Sequence, residues 1–381
     1  MLRVCLLVAA VVCAVAVPAP SGIPLNKLYD TDQKINEDGF PAESHHVISS
    51  DGYILEINRI PHGRYNKGDG DRPVVFLMHG LTASAVSYFM VGPEISPAYN
   101  LADAGFDVWM GNARGVLNSR NHVSMDANAD PLKFFDFTFE QIAIDDLPTM
   151  LDYVLEYTGK EKLHYVGHSQ GGTVFLILNS MRPEYNAKFE SVHLLAGVGY
   201  QNYFPNAALR LAAISTDLIY AVTTSHGLIE VFGPHWNEIE DCSGSDSDCE
   251  VNLVHDFITD MYGELEVFAG ASLKQFAHYG QNIRDRKFRR WNYGLLNFMH
   301  YGRMVPPEYN LKLITANVTM HYTINDALLD ERDVLDMAKD MPNTRVRKVA
   351  RDDFLHTEFV TAHDCKELVT DYIIEELKSH Y

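Results

Sequence analysis

One serine of the chain stands in a setting that suits nucleophilic chemistry. It lies in the stretch "LHYVGHSQGGTVFLIL" (163–178), where an apolar run predicts a strand, the glycines predict a tight turn, and a second apolar run predicts a helix. Glycines two residues before and after Ser169 would let strand and helix pass close together while the serine lifts its hydroxyl clear of the sheet. A plain turn with an incidental serine is the alternative interpretation. The predicted nucleophile turn comprises Gly167, His168, Ser169, Gln170 and Gly171.

A serine hydroxyl becomes an effective nucleophile when a histidine removes its proton and a carboxylate fixes that histidine's tautomer. On such a turn the chain order is serine, then acid, then histidine. Asp326 closes the apolar run "HYTIND", and His356 follows the next strand-like segment, so both fall where the order requires. Asp330 and Asp333 are alternatives for the acid, although their spacing places them in a helix. His363 is the rival histidine, which the pattern places inside the last helix.

Attack on a carbonyl also develops an oxyanion, which two backbone N–H groups can stabilise by about 3 kcal/mol each. One donor should be Gln170, the residue after the nucleophile, and the other should come from the loop after an early strand. The stretch "MHGLTAS" (78–84) fits that loop and makes Leu81 the expected second donor. His79 in the same stretch is expected to position the loop and not to act as a base.

These residues depend for their positions on an alternation of strands and helices. Apolar runs at 73–80 and 105–115 predict buried strands, and the spacing of apolar residues at 139–159 predicts a helix that leads into the strand before Ser169. The alternation predicts an α/β fold whose mostly parallel central sheet is covered by helices on both faces. Further strand patterns lie at 52–61, 191–199, 313–326 and 345–350.

The alternation stops at 200–310, a helix-rich and aromatic segment. An insertion between late strands of such a sheet would stand above the strands' carboxyl ends, where these folds bind ligands. The sequence therefore predicts a first part of the core at 17–199, a helical cap or lid at 200–310, and a second part of the core at 311–381. Apolar residues at 203–222 and 254–270 either form the underside of a movable lid or pack the cap onto the core.

The first residues are typical of a secretory signal peptide. Arg3 precedes an apolar run that is too short to span a bilayer, and a small-residue cleavage site follows it, so residues 1–16 are expected to be removed. Secretion would make Asn317, which lies in the only N-x-[ST] sequon, a usable glycosylation site.

Three cysteines remain after residue 16, and an oxidising compartment suggests one disulfide and one spare thiol. Cys242 and Cys249 bracket a short polar loop and are the expected pair, which leaves Cys365 as the spare thiol. Three free thiols are the alternative.

Charge and motifs exclude several classes of function. The formal net charge is −20, and "RDRKFRR" (284–290) is too short and isolated to rival a phosphate-binding patch, so no nucleic-acid partner is expected. Protonation of all 17 histidines would move the formal charge from −20 to −3, which suits an acidic compartment but also many neutral extracellular proteins. The chain has no H-E-x-x-H, C-x-x-C or glycine-rich phosphate motif, so metal chemistry has little support and no metal site is expected.

Six stretches, taken together, resemble the acid lipases, which include gastric lipase, lysosomal acid lipase and many insect digestive lipases. The resemblance runs from about Asp30 to Leu377, with the motifs in order and at family-like spacing. It implies an α/β-hydrolase core with a helical cap and lid, hydrolysis of neutral lipid esters at a lipid–water interface, and no cofactor. It also implies the triad and the oxyanion hole that position and chemistry indicate. The stretches are "HGLTAS", "LADAGFDVWMGNARG", "DDLPTMLDYV", "KLHYVGHSQGG", "NDALLDERDV" and "LHTEF".

The chain departs from the family's common pattern at a few positions. It has "TIND" before the acid where N-G-x-x-D is common, and Glu358 stands where the family commonly has Asp. Gly172 stands where Thr is frequent, a change expected to loosen the start of the helix slightly. The cysteine loop "DCSGSDSDC" also differs from the vertebrate cap, and these differences bear on substrate preference more than on mechanism.

The sequence thus favours a secreted lipase, with an extracellular digestive lumen as the expected location and the lysosome as the alternative. A carboxylesterase for small soluble or hormone-like esters is the second hypothesis. A lipase fold kept as a catalytically silent binding or storage protein is the third. The choice among triacylglycerol, sterol ester and other esters stays open, as does the oligomeric state.

Overall fold

A nine-stranded sheet forms the centre of the part of the chain that the structure describes. The structure is a computed structural model, and it describes residues 30–67, 70–233 and 268–381. The strands, of which the eighth and ninth form a separate pair, are β1 Glu43–Ile48, β2 Tyr53–Ile60, β3 Val74–Met78, β4 Asp107–Gly111, β5 Asn121–His122, β6 Leu163–His168, β7 Phe189–Leu195, β8 Glu230–Val231, β9 Ala271–Ser272, β10 Val318–Tyr322 and β11 Thr344–Lys348.

Helices connect the strands and pack against the sheet. Two of them contain π-helical turns, at Ile142–Asp146 and Lys366–Thr370. The α-helices are α1 Thr31–Glu37, α2 Pro97–Asp103, α3 Pro131–Phe134, α4 Phe139–Gln141, α5 Leu147–Thr158, α6 Gln170–Met181, α7 Ala207–Ala213, α8 Thr216–Ser225, α9 Leu273–Asp285, α10 Asn297–Tyr301, α11 Glu331–Asp340, α12 Glu358–Thr361 and α13 Asp371–Lys378.

The strand order across the main sheet is β1-β2-β4-β3-β6-β7-β10-β11, and β5 pairs with β2 outside this order. The pairs β1–β2 and β2–β4 are antiparallel, whereas every neighbouring pair from β4 to β11 is parallel. The carboxyl ends of the parallel strands therefore meet at one edge of the sheet, here called the carboxyl edge. The predicted α/β fold with a mostly parallel central sheet is confirmed.

Strand composition follows position in the sheet. Every residue of β3 and of β6 is buried, as expected for central parallel strands covered on both faces. The last strand, β11, instead exposes Arg345, Val346 and Lys348, because it lies at the edge of the sheet. Charged side chains on such a strand oppose pairing with another chain.

The helical run before β6 has well-defined ends. Thr138 caps its start, and the Gln141 side chain accepts the backbone N–H of Thr138 at 2.8 Å in a capping box. Gly159 ends it in the left-handed conformation, with φ 67°. The run starts near the carboxyl edge, because the N–H of Arg114, just after β4, donates to Asp146 at 2.9 Å, and it leads to the opposite edge, where β6 begins.

The two glycines after the serine let α6 pack closely against the sheet. A Cβ on Gly171 would lie 2.0 Å from the Met78 carbonyl oxygen, and one on Gly172 would lie 2.4 Å from the Gly197 Cα. Gly172 was expected only to loosen the start of the helix. The structure gives it a packing role, because the backbone after β7 contacts α6 at this point.

The described parts of the predicted cap, 200–310, contain helices α7 to α10 and the β8–β9 pair. Helix α9 contacts the core, since the Tyr279 hydroxyl lies 2.9 Å from the Thr173 hydroxyl and the His278 ring stacks on Phe139 with centroids 4.0 Å apart. The cap boundaries and the movable lid stay predictions. Among the described residues, no helix is both long enough and apolar enough to cross a membrane.

Several predicted features lie outside the described residues: the signal peptide at 1–16, Cys242, Cys249 and most of the apolar stretch 254–270. Cys365 is fully buried, and its burial is the main reason that its pKa rises to about 12.

Two surface positions can be compared with expectation. Asn317 is exposed just before β10, so the described surface leaves room for a glycan there. Glycosylation at this site stays a prediction. His363 was expected inside the last helix, and this was wrong. It lies exposed in a turn, because α12 ends at Thr361 and Ala362 has an extended backbone with ψ 145°.

We predict that Gly172→Ala lowers the free energy of unfolding by about 2 kcal/mol, because the added methyl group would force α6 away from the Gly197 backbone. Urea unfolding followed by circular dichroism measures the change. Gly70→Ala is the matched control, since a Cβ on Gly70 would have nothing within 4 Å. Equal stability of the two variants would contradict the proposed role of the close packing.

Candidate active site

Ser169 occupies the junction between β6 and α6 in a strained conformation. Its φ is 51° and its ψ is −111°, a region that L-residues rarely adopt. The Ser169 N–H donates to the Leu195 carbonyl at 2.8 Å, and the Ser169 carbonyl accepts the Gly172 N–H at 2.9 Å. These bonds hold the serine in the strained turn that the spacing of the glycines predicted.

The structure brings all three predicted catalytic residues together. His356 Nε2 lies 2.8 Å from Ser169 Oγ, and His356 Nδ1 lies 2.6 Å from Asp326 Oδ2. The side chains of His356 and Asp326 are almost fully buried. Because the carboxylate can only accept, the proton of a neutral His356 lies on Nδ1, which leaves Nε2 free to accept the serine proton.

Asp326 is held in the turn that follows β10. Its Oδ1 accepts the backbone N–H groups of Leu328 at 2.7 Å and Leu329 at 3.0 Å, which directs Oδ2 to the histidine. Both alternative acids have other partners. Asp330 caps α11 and pairs with Arg332.

Asp333, the second alternative, anchors the entry to the predicted cap. Its two oxygens accept the N–H groups of Asn202 at 2.9 Å and Tyr203 at 3.0 Å. Burial raises its pKa. The structure therefore assigns the short contact with the histidine to Asp326 alone among these three acids.

Contacts between two loops fix the position of His356. The Thr323 hydroxyl donates to the Phe354 carbonyl at 2.8 Å, which joins the loop after β10 to the loop after β11. Glu358 accepts the Leu355 N–H at 2.5 Å and pairs with Arg351. The carboxylate of Glu358 thus supports the histidine loop from outside the site.

His168 supports the same loop from inside. Its Nε2 lies 2.8 Å from the His356 carbonyl oxygen, so Nε2–H donates to it. Burial, followed by the nearby His356, lowers the pKa of His168 to about 3. A neutral His168 therefore positions the loop without placing a positive charge beside the His356 imidazole.

The loop after β3 approaches Ser169 closely. A Cβ on Gly80 would lie only 3.2 Å from Ser169 Cβ, and Thr82 has a left-handed backbone with φ 65°. His79 stabilises this loop, because its Nδ1–H donates to the Gly80 carbonyl at 2.8 Å and its Nε2 accepts the Ala113 N–H at 3.0 Å. Burial lowers the pKa of His79 to about 4, so it stays neutral. These contacts fit the expected positioning role.

Both predicted oxyanion donors border the serine. Gln170 is the buried first residue of α6 and follows the serine directly, and Leu81 lines a cleft together with Ser169. A third element closes one side, because the Ala269 N–H donates to the Thr82 carbonyl at 2.7 Å and the Ala269 carbonyl accepts the Leu117 N–H at 2.8 Å. The cleft is lined mainly by small and apolar side chains, among them Leu81, Ala83, Val86, Met90, Phe268 and Val360.

Comparisons with known proteins agree with this geometry. The family described as "Partial alpha/beta-hydrolase lipase region" matches residues 31–92, and the one described as "alpha/beta hydrolase fold" matches residues 73–219. Lipase 3 of Drosophila melanogaster is 35% identical, over 92% of this chain and 93% of its own. Gastric triacylglycerol lipase of Homo sapiens is 32% identical, over 90% of this chain and 89% of its own. The chain belongs to the acid lipase family.

Two further comparisons place this acid lipase among its relatives. The lysosomal acid lipase/cholesteryl ester hydrolase of Macaca fascicularis is 30% identical, over 90% of this chain and 89% of its own. The crystal structure of a monoacylglycerol lipase from Paleococcus ferrophilus has a TM-score of 0.50 at 16% identity, over 86% of this chain and 99% of that chain, and shows the fold alone. The chain is therefore an ester hydrolase of the lipase type with an α/β-hydrolase fold.

Sequence reasoning missed two contributors to the site of this acid lipase. It treated His168 only as part of the turn, although this residue bonds to the histidine loop. It also gave no role to Ala269, which lies within the predicted cap and joins it to Thr82, in the loop after β3, and to Leu117. Among the described residues, no group of three or more His, Cys, Asp or Glu side chains is arranged to hold a metal ion.

We predict that His168 makes the fold of this acid lipase sensitive to acid. Its pKa is about 6.5 when unfolded and about 3 when folded, so its neutral form contributes full stability above pH 6.5. That contribution is lost as the pH falls from 6.5 towards 3, by up to about 1.4 kcal/mol per pH unit. His168→Gln, which keeps a donor but does not titrate, should therefore unfold with a flatter pH dependence between pH 7 and pH 4.

Urea unfolding at several pH values measures that slope. His46→Gln is the matched control, because the His46 side chain is 56% exposed. An unchanged slope in His168→Gln would contradict the prediction.

Proposed function

We propose that this protein is a lipase that hydrolyses carboxylic esters of neutral lipids through a triad of Ser169, His356 and Asp326. The observation that supports it best is the continuous chain of hydrogen bonds, 2.6 Å and 2.8 Å long, from a buried carboxylate through the imidazole to a serine that lines a cleft. This arrangement matches the roles of base, orienting acid and nucleophile in acyl transfer.

The proposed reaction has two steps. His356 Nε2 takes the proton as Ser169 Oγ attacks the ester carbonyl, and the N–H groups of Leu81 and Gln170 stabilise the oxyanion. The tetrahedral intermediate collapses to an acyl-enzyme, and His356 returns the proton to the departing alcohol. A water molecule then attacks the acyl-enzyme by the same route and releases the fatty acid. Asp326 stabilises the imidazolium in both steps.

The substrate class follows from the cleft and from the relatives. Apolar side chains that line the cleft with Ser169, including Met90, Phe268 and Val360, suit an acyl chain. The relatives named above are a gastric triacylglycerol lipase and a lysosomal acid lipase/cholesteryl ester hydrolase. We therefore propose triacylglycerols as substrates, with sterol esters as the second class to assay. No cofactor enters the proposed steps.

We also propose that the protein is secreted, with the lysosome as the alternative location. The proposal includes removal of residues 1–16, a Cys242–Cys249 disulfide, glycosylation at Asn317 and a cap at 200–310. Each rests on the sequence patterns given above.

We predict that Ser169→Ala and His356→Ala each lower turnover of any ester by at least about 10⁴-fold while the protein stays folded, because triad members act as one unit. Asp326→Asn should cost a comparable factor, since it favours the wrong tautomer of His356. Initial rates on a soluble short-chain ester, with circular dichroism as the folding check, measure these effects. A fluorophosphonate should label Ser169 in the wild-type protein alone.

Asp330→Asn is the matched control, because Asn can also cap α11 and the side chain does not contact the site. It should keep turnover within a factor of about three. A far larger loss in Asp330→Asn than in Asp326→Asn would mean that the acid is misassigned.

We predict that wild-type protein hydrolyses an emulsified long-chain triacylglycerol faster than a monomeric short-chain ester at equal ester concentration. A long acyl chain can bury more apolar surface against the apolar side chains of the cleft than a short one can. A titrimetric assay on both substrates measures the ratio. Hydrolysis of the monomeric ester alone would favour the carboxylesterase hypothesis, and no hydrolysis with no serine labelling would favour a binding protein.

A further inference from the structure

A cluster of apolar side chains is exposed on a short folded segment, residues 293–305, here called the apolar tip. The tip comprises a 3₁₀ turn at Gly294–Leu296 followed by α10. Leu295 is 88% exposed and Met299 is 81% exposed. Such a concentration in so few residues differs from the scattered apolar residues found on most soluble surfaces. The exposed apolar members are Leu295, Leu296, Phe298, Met299, Met304 and Val305.

Polar contacts inside the tip fix its conformation and keep its apolar side chains turned towards solvent. Asn297 is buried, and its amide donates to Asn292 Oδ1 at 2.7 Å and to the Met304 carbonyl at 3.0 Å. Its side-chain oxygen accepts the Tyr293 N–H at 2.9 Å. The Tyr301 hydroxyl also donates to a backbone carbonyl beneath the tip, at 2.8 Å. The usual pattern is inverted here, with the amide inside and the apolar groups outside.

Contacts with Glu140 anchor both ends of the tip near the carboxyl edge of the sheet. Arg290, just before the tip, pairs with Glu140 at 2.7 Å, and the Tyr309 hydroxyl, just after it, donates to Glu140 at 2.5 Å. Glu140 belongs to α4, the first turn of the helical run that begins near the carboxyl edge. Ser169 follows β6 at the same edge, so the tip and the cleft belong to the same end of the molecule.

The sequence around the tip is locally rich in basic residues. Residues 286–307 contain five Arg or Lys and no Asp or Glu, although the net charge of the chain is −20. Lys287, Arg289 and Arg290 have acidic partners. Arg286 and Arg303 are exposed, and no ion pair joins either of them to another described residue. Arg303 lies within the tip itself, so an exposed cation stands in the same short segment as the exposed apolar side chains.

We propose that the apolar tip docks this protein on a lipid surface that carries negative charge, such as a droplet or bilayer containing fatty-acid carboxylates. The apolar side chains enter the acyl region while Arg303 contacts the anionic head groups. The inference rests on the proposed function, because ester hydrolysis at a lipid surface leaves fatty acid there. It adds to that function a named surface at a distance from the reacting groups.

The test uses full-length protein with the Ser169→Ala substitution, so that no vesicle component is hydrolysed. Flotation with vesicles of phosphatidylcholine, with and without oleate, measures binding. The double variant Leu295→Ser/Met299→Ser should bind oleate vesicles at least about tenfold more weakly than the Ser169→Ala parent. Arg303→Gln should lose much of the preference for oleate vesicles, and added salt should reduce that preference in the parent.

A matched control removes two apolar side chains elsewhere. Val123→Ser/Leu132→Ser changes residues that are 59% and 61% exposed, and it should bind as the parent does. Equal binding by the tip variant and the parent would overturn the proposal, as would an equal loss in both double variants. A parent dimer in size-exclusion chromatography that the tip substitutions dissociate would also overturn it, because the tip would then contact a second copy.

The catalytic proposal is tested separately. With Ser169 restored, the tip variant should hydrolyse a soluble short-chain ester at the wild-type rate and lose activity on an oleate-containing emulsion. Absence of ester hydrolysis by wild-type protein would refute the proposed function, yet the flotation result would still decide whether the tip binds lipid. Thermal unfolding of each variant confirms that a loss of binding does not come from misfolding.

Discussion

The chemistry of this molecule depends on a serine backbone held where an unconstrained serine would not stay. A φ of 51° at Ser169 costs about 1–3 kcal/mol, which the surrounding structure has to offset. Its N–H and carbonyl bond to Leu195 and Gly172, while Gly171 brings α6 against the end of β3. The strained turn therefore depends on the packing of α6 against the sheet. A side chain at either glycine would separate helix and strand and move the hydroxyl away from His356.

The proposed acid and base depend on a second constraint, the parallel pairing of β10 with β11. Asp326 and His356 follow these neighbouring strands, and the bond from Thr323 to the Phe354 carbonyl joins their loops. His168, the last residue of the strand before the serine, donates to the His356 carbonyl and so connects that strand to the same loops. A histidine kept neutral by burial suits this place, because a cation here would oppose the protonation of His356 that the proposed mechanism requires.

The sequence predicted those features that depend on contiguous residues or on chain order. The apolar runs indicated the central strands, and the order of serine, acid and base led to three side chains that the structure brings within hydrogen-bond distance. Contacts between distant segments were not predictable in this way. Gly172 contacts Gly197, and His168 contacts the His356 backbone, through packing that no local pattern records. The placement of His363 was wrong because an extended Ala362 interrupts a pattern that otherwise looks helical.

The exposure of the apolar tip could not be predicted from its sequence either. The stretch "GLLNFMHYGRMV" (294–305) is rich in the apolar residues of a core segment. Only the fold reveals that Asn297 points inward and that its apolar neighbours point to solvent. A chain with a net charge of −20 is repelled as a whole by a surface that released fatty acid has made anionic. Arg303, which lies among the exposed apolar side chains and has no acidic neighbour within the tip, would weaken this repulsion at one end of the molecule. The approach it favours is the one in which the carboxyl edge, and Ser169 with it, is turned towards the lipid.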